Sequence, residues 1–154
     1  MLQIFKTKDM NLAKIMYKGA CEYEHFEFLH KLGIDSFILV NNPSLNTFIS
    51  LKTIEKVIKH FNFKEIYFSD SPSSREGFEY YSSVIKPSGL MPKYIDDNEN
   101  FFKEISDFNQ LENLCSQVEK NFNGTYIVDL ELFMESYREL DKEQFIVFFD
   151  GLER

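Results

Sequence analysis

The sequence predicts an α/β or α+β fold, in which a single layered domain has helices packed on a mixed β-sheet. The chain of 154 residues has the length of one domain. Short apolar runs alternate along it with segments whose apolar residues recur every three or four positions. With only 6 Gly and 4 Pro there is little room for linkers. We therefore take residues 1–154 as one domain, and residues 87–100, which contain two Pro turns, as the one place for a subdomain boundary.

The first half of the chain predicts alternating strands and helices. A short strand is expected at residues 2–5, and apolar spacing predicts an amphipathic helix over residues 11–32 that ends at Gly33. Residues 36–40 form the next predicted strand, and residues 47–49 a short extended piece. Ser50 is a good N-cap for a helix whose apolar face includes Ile54 and Val57. Residues 65–69 are predicted as a further strand.

The second half continues this alternation. A helix is expected from about Ser74 to residue 86, where Pro87 and Gly89 stop it. An extended segment at 101–105 leads to a helix capped by Asp107, and residues 125–130 and 144–149 are predicted strands on either side of a short helix near 132–140. The residues expected to share one core are Ile38, Val40, Ile54, Val57, Ile66, Phe68, Leu111, Cys115, Ile127 and Val147.

Charge is distributed unevenly. Residues 1–93 contain 12 Lys and Arg against 10 Asp and Glu, whereas residues 94–154 contain 5 against 15. The carboxyl-terminal part therefore carries the net acidity of the chain. Such a surface disfavours nucleic acid, which is bound through Lys and Arg on phosphates, and it would attract a basic protein.

An acidic series in that region is the first candidate site. In a helix, Glu131, Glu135 and Glu139 would line one face, since they are spaced four apart. We expect them to form a docking surface for a basic protein partner, together with the acidic residues of the preceding loop: Asp96, Asp97 and Glu99. The alternative is a solvated face that maintains solubility.

The second candidate site is the polar loop that follows the strand at 65–69. Hydroxyl groups, backbone N–H groups and a guanidinium at the start of a helix could bind an anion, through Ser71, Ser73, Ser74 and Arg75. The loop lacks the glycines of known phosphate-binding motifs. Ordinary turn and N-cap chemistry is the alternative.

Two further patterns have part of the spacing of a metal site. Asp129 and Glu131 would face the same way in a strand, as divalent-metal sites require, or would lie at a strand edge or helix start. Cys21 and His25 have half of a zinc-ligand spacing, but no second pair follows. We therefore expect no structural metal, no cofactor and two buried thiols.

Two functional hypotheses remain. The leading one is a small acidic protein-binding domain, comparable in charge and size with immunity proteins or antitoxins that inhibit a basic toxin or nuclease. The alternative is a small-molecule or anion-binding enzyme domain with its site at residues 71–75. The chain has neither a membrane-spanning run nor the apolar run of a signal peptide, so we expect a cytoplasmic protein.

Overall fold

The structure is a computed structural model that describes residues 3–6, 12–69, 75–94, 102–116 and 124–152. Its strands are β1 (Gln3–Lys6), β2 (Leu12–Lys18), β3 (Ser36–Leu39), β4 (Glu65–Phe68), β5 (Lys93–Tyr94), β6 (Phe102–Ile105), β7 (Thr125–Asp129), β8 (Met134–Ser136) and β9 (Glu139–Leu140). Its helices are α1 (Tyr23–Lys31), α2 (Leu51–His60), α3 (Arg75–Ile85), α4 (Phe108–Ser116) and α5 (Lys142–Leu152). Short 3₁₀ helices lie at Lys86–Ser88 and Leu130–Phe133.

Seven strands form one mixed sheet in the order β5-β4-β3-β2-β7-β6, with β1 antiparallel to β2. The six strands of this order pair in parallel. From β2 to β5 each strand lies beside the next one in the chain, and β7 returns to lie beside β2. This is the circular strand order of a β/α barrel, interrupted within the described residues between β5 and β6. The predicted fold class, helices on a mixed β-sheet, is confirmed.

The two faces of the sheet have different surroundings. One face packs on the helices through strand residues such as Tyr17, Phe37 and Val128, together with buried helix residues such as Ile54 and Phe145. The other face, which we call the inner face, carries a small separate cluster: Met16, Ile38, Ile127 and, partly buried, Tyr67. Burial on both faces is typical of parallel strands.

The predicted helix over residues 11–32 is wrong in its first half. Residues 12–18 form β2, and only Tyr23–Lys31 are helical. The apparent helical spacing arises because Ile15 and Tyr17 are buried on one face of the strand while Met16 is buried on the other. Gly19 separates the two elements with a φ of 102°, a conformation that no helix residue adopts.

The predicted final strand at 144–149 is also wrong. These residues belong to α5, in which Phe145, Phe148 and Phe149 form one buried stripe. Val147, expected in the core, is 74% exposed on the opposite side. An unbroken apolar run cannot by itself distinguish a buried strand from a helix.

The predicted helix caps, the remaining core residues and the subdomain boundary have different outcomes in the structure. The caps are confirmed, since Ser50 Oγ accepts from Thr53 N–H over 3.1 Å and Asp107 Oδ1 accepts from Gln110 N–H over 2.8 Å. Ile38 and Ile127 are buried, but in the inner cluster rather than in a common core. The Cys115 side chain lies outside the described part. The boundary at 87–100 stays a prediction, because residues 95–100 are not described.

Among the described helices, none is both long enough and apolar enough to cross a membrane.

Candidate active site

Three charged residues come together on the inner face at the carboxyl ends of adjacent strands. Lys18 ends β2 and Asp129 ends β7, and the two are paired in the parallel register. Glu104 on β6 is level with Ile127. Because paired residues of parallel strands point to the same side, Glu104 shares the face of Ile127, and Lys18 and Asp129 lie on it two residues further along. We call these three residues the charged triad.

An ion pair joins the two outer members of the triad. Lys18 Nζ lies 2.6 Å from Glu104 Oε1. Their strands flank β7 and so are separated by about 10 Å, twice the ordinary strand spacing. The two long side chains therefore meet across β7, the strand that carries Asp129. The Lys18 side chain is 21% exposed and that of Glu104 is 48% exposed, which leaves the pair reachable from solvent.

Asp129 has an environment that favours proton exchange. Burial raises the pKa of this carboxyl above its usual value, and the negative charge of Glu104 adds to the effect. The cation of Lys18 and a hydrogen bond from the backbone N–H of Glu131, 2.9 Å from Asp129 Oδ1, act in the opposite direction. A carboxyl with a raised pKa beside a lysine can accept or donate a proton while the ammonium group stabilises negative charge that develops on a bound molecule.

A hairpin is fixed beside this edge of the sheet by Arg138. The guanidinium Nη2 donates to the carbonyl oxygen of Cys21 over 3.0 Å, and Nε lies 2.7 Å from Glu22 Oε1. The carbonyl oxygen of Arg138 lies 3.0 Å from His25 Nε2. These contacts join the β8–β9 hairpin, which follows Asp129 in the chain, to the turn that follows Lys18. Arg138 itself has a φ of 58°, the left-handed conformation found in short hairpin turns.

His25 is nearly fully buried, and both of its ring nitrogens have partners. Nδ1 accepts from the backbone N–H groups of Cys21, at 3.1 Å, and Glu22, at 3.2 Å. Nε2 must then carry the proton, and it donates to Arg138. Burial lowers the pKa of His25 below its usual value, and burial raises the pKa of the Cys21 thiol to about 11. The thiol is thus held in its protonated, unreactive form.

Beside His25 there is an open cleft of about 580 Å³. It is bordered by the turn before α1, the β8–β9 hairpin and the start of α5. Most of its lining side chains are charged, and carboxylates predominate: Glu22, Glu24, Glu135, Glu139, Asp141 and Glu143. Among the described residues, no group of three or more His, Cys, Asp or Glu has the arrangement of a metal site.

The predicted docking surface does not exist as a helix face. Glu131 lies in a 3₁₀ helix, whereas Glu135 and Glu139 lie on opposite strands of the β8–β9 hairpin. All three are exposed. Asp96, Asp97 and Glu99 lie outside the described residues. A basic protein partner for these acidic residues stays a prediction.

The predicted anion site is described only at its borders. Ser71, Ser73 and Ser74 lie outside the described residues, and Arg75 is the first residue of α3. On the other side Ser69 directly follows β4, and its N–H donates to the carbonyl oxygen of Leu39 over 3.0 Å. Residues 71–75 therefore connect the carboxyl end of β4 to the next helix.

Lys18 and Glu104 were not singled out by the sequence. For Asp129 and Glu131 the alternative of a helix start is confirmed: Asp129 caps the 3₁₀ helix by accepting from Glu131 N–H, and the two carboxylates do not share a strand. Correct assignment of β2 would have placed Lys18 at the end of a buried strand, but not beside Asp129 or Glu104. Cys21 and His25 are packed together as a buried pair, with Sγ and Nδ1 3.8 Å apart.

Comparison with known proteins gives structural matches only. No family model and no curated protein matches the chain. Mutually generated monomers of the dimeric phosphoribosylanthranilate isomerase from Thermotoga maritima are similar, with a TM-score of 0.63 at 10% identity, covering 90% of this chain and 97% of that one. The phosphoribosylanthranilate isomerase of that organism matches at a TM-score of 0.54 and 9% identity with the same coverage.

A third structure extends the likeness to a complex. Phosphoribosylanthranilate isomerase bound to reduced 1-(o-carboxyphenylamino)-1-deoxyribulose 5-phosphate has a TM-score of 0.59 at 9% identity, again over 90% of this chain and 97% of that chain. At such identities the likeness establishes the α/β fold. The expectation of an immunity protein, antitoxin or inhibitor is wrong, because the structures that match are those of an enzyme.

Proposed function

We propose that this protein is an enzyme that carries out acid–base chemistry on a small anionic substrate, bound at the carboxyl ends of its parallel strands. The observation that carries the proposal is the charged triad. Lys18, Glu104 and Asp129 come from three adjacent strands and meet at the edge where β/α sheets and barrels place their ligands.

Each member of the triad has a distinct role in the proposal. Asp129 is the group that transfers a proton, because burial raises its pKa toward the working range of a general acid or base. Lys18 stabilises the negative charge that appears on the substrate when a proton leaves a carbon beside a carbonyl group. Glu104 holds the Lys18 ammonium group over β7 through their 2.6 Å contact.

The loop at residues 71–75 would bind the anionic part of the substrate. It follows β4, and β4 is separated from β2 by β3 alone. The loop and Lys18 therefore belong to strands about 10 Å apart, close to the length of a sugar phosphate. One of the similar structures holds a ligand that is a deoxyribulose 5-phosphate derivative, which makes a phosphorylated sugar the first substrate class to test.

Binding is tested by NMR titration of the labelled protein with ribose 5-phosphate, with ribose and inorganic phosphate as partial ligands. We expect ribose 5-phosphate to shift amides that follow β2, β3 and β7, and Arg75→Ala to weaken this response. Lys52→Ala provides a matched control, since Lys52 is an exposed cation on α2. Shifts confined to another surface would contradict the proposed site.

Chemistry is tested by incorporation of solvent deuterium into pentose 5-phosphates, followed by proton NMR. The wild-type protein should catalyse exchange at the carbon beside the carbonyl group, and Asp129→Asn should lose about 10²–10⁴-fold of the rate. Glu55→Gln, an exposed change on α2, should keep the rate. If the exchange rate of Asp129→Asn equalled that of the wild type, Asp129 would not be the proton-transfer group.

A further inference from the structure

His25 lies at the only point among the described contacts where the β8–β9 hairpin is hydrogen-bonded to α1. The turn after Lys18 and the segment after Asp129 come from neighbouring strands, and the contacts of Arg138 with Cys21, Glu22 and His25 join them. The hairpin therefore connects the segments that follow two of the three triad residues, Lys18 and Asp129. Arg138 has a left-handed φ of 58° in the two-residue turn between β8 and β9, as short hairpin turns commonly require.

The hydrogen bonds of His25 require a neutral ring in one tautomer. Nδ1 faces two N–H donors, from Cys21 and Glu22, and so has to be a bare acceptor. Nε2 faces the carbonyl oxygen of Arg138 and so has to carry the hydrogen. A second proton on Nδ1 would point at both N–H groups, and the ring could not then stay in its place.

We propose that neutral His25 is a positioning residue, which holds the β8–β9 hairpin against the turn after Lys18, and that protonation of its ring releases the hairpin from the sheet edge. An effect of this release on catalysis by Lys18 and Asp129 rests on the proposed function. The release of the hairpin does not, since it follows from the hydrogen bonds alone.

Charged groups line the cleft beside the ring, and they come from each element that borders it. Carboxylates come from the turn before α1 and from α1, the hairpin and the start of α5: Glu22, Glu24, Glu135, Glu139, Asp141 and Glu143. Arg138 and Lys142 supply positive charge, and the Cys21 thiol touches the ring. Burial has the largest effect and lowers the pKa of His25, whereas the hydrogen bond to the Arg138 carbonyl oxygen and the carboxylates of Glu22 and Glu24 act in the opposite direction.

The direction of the pH dependence follows from this balance. The ring binds a proton less tightly when the hairpin is docked than when it is released, so docking is fully favourable above the ordinary His pKa of about 6.5. As the pH falls below that value, the equilibrium for release should increase by up to about tenfold for each pH unit between the two pKa values.

The test follows the wild-type protein by NMR without any substrate, between pH 7.5 and pH 4.5. Ring nitrogen shifts report the tautomer and titration of His25. Exchange of the Arg138 guanidinium N–H groups, which donate to the carbonyl oxygen of Cys21 across the junction between the hairpin and the turn, reports docking. We expect a bare Nδ1 at pH 7.5, titration of the ring below pH 6.5, and a loss of Arg138 guanidinium protection over the same pH range after correction for intrinsic exchange.

Variants separate His25 from the neighbouring carboxylates. His25→Asn and His25→Gln do not titrate, so the transition should disappear in both. His25→Gln, whose longer amide reaches toward Arg138, should retain more protection at pH 7.5 than His25→Asn. His30→Gln removes an exposed histidine on the same helix and should leave the transition in place.

Constant protection of the Arg138 guanidinium while wild-type His25 titrates would overturn the proposal, as would a transition that persists in His25→Asn. Both outcomes are read without a substrate. They are therefore distinct from failure of the enzyme proposal, which is judged by deuterium incorporation at pH 7.5.

Discussion

Lys18 and Asp129 hold paired positions at the carboxyl ends of two neighbouring parallel strands, β2 and β7. Their charges act on each other, since Lys18 lowers the pKa of Asp129 while burial and Glu104 raise it. Burial has the largest effect. This incomplete compensation leaves a carboxyl that is costly to ionise in the folded protein.

Asp129→Asn is expected to increase the free energy of unfolding at pH 7. Because the folded-state pKa of Asp129 is raised, its stabilising contribution is present below the unfolded pKa and is lost as the pH rises through the folded pKa. Asparagine is neutral and can still accept from Glu131 N–H. Urea unfolding at pH 7 measures the change, and Asp107→Asn, at an exposed cap, should stay within about 0.5 kcal/mol of wild type. A loss of stability in Asp129→Asn would contradict this prediction.

The same substitution at two valines compares a buried position on α2, Val57, with an exposed position on α5, Val147. Val57→Ala should lower the free energy of unfolding by about 2 kcal/mol, because it removes buried methyl groups worth roughly 0.8 kcal/mol each and leaves a cavity. Val147→Ala should change it by less than about 0.5 kcal/mol. Equal effects of the two substitutions in chemical denaturation would show that the assigned helix faces are incorrect.

The N-cap of α2 supports a third prediction. Ser50→Ala should cost about 1 kcal/mol of stability, since Ser50 Oγ accepts the otherwise unpaired N–H of Thr53. Ser50→Asp keeps an acceptor at this position and should remain close to wild type in thermal unfolding. If alanine and aspartate gave the same midpoint, the cap would have no role in stability.

Gly19, which joins β2 to the turn before α1, should tolerate substitution poorly. Its φ of 102° strains any other residue, and an added Cβ would lie 3.2 Å from Cγ2 of the buried Thr47. Gly33 has a φ of 85° with open space around it, so Gly33→Ala shows the backbone cost alone, about 1–2 kcal/mol. Gly19→Ala should cost more than Gly33→Ala. Thr47→Ser, which removes Cγ2, should restore part of the difference in the double variant, and no restoration would exclude the steric contact as its cause.

How far the sequence predicts this fold depends on the solvent exposure of each element. The helix α2 has one buried face, with Ile54 and Val57, and a Ser cap, so periodicity and cap chemistry identified it. In contrast, β2 is buried on both faces, and α5 has apolar residues around most of its circumference. Periodicity fails for such elements, because it depends on contrast between a buried and an exposed side.

The site was less predictable than the fold for a related reason. Lys18 and Glu104 are ordinary charged residues in the sequence, and only the parallel register of β2, β7 and β6 brings them together. Such pairing is a long-range property that no local pattern contains. The spacing of Asp129 and Glu131 reflects a cap, because Asp129 accepts from Glu131 N–H, whereas the charges that act on Asp129 come from Lys18 and Glu104 on the two neighbouring strands.

The most direct test of the charged triad is a pH titration of the Asp129 side-chain carboxyl by carbon-detected NMR in three proteins. We expect a wild-type pKa above the ordinary value for aspartic acid, a higher value in Lys18→Met, which removes the neighbouring cation, and a lower value in Glu104→Gln, which removes the neighbouring anion. An unshifted wild-type value that neither substitution changes would contradict the claim that these three residues form one site.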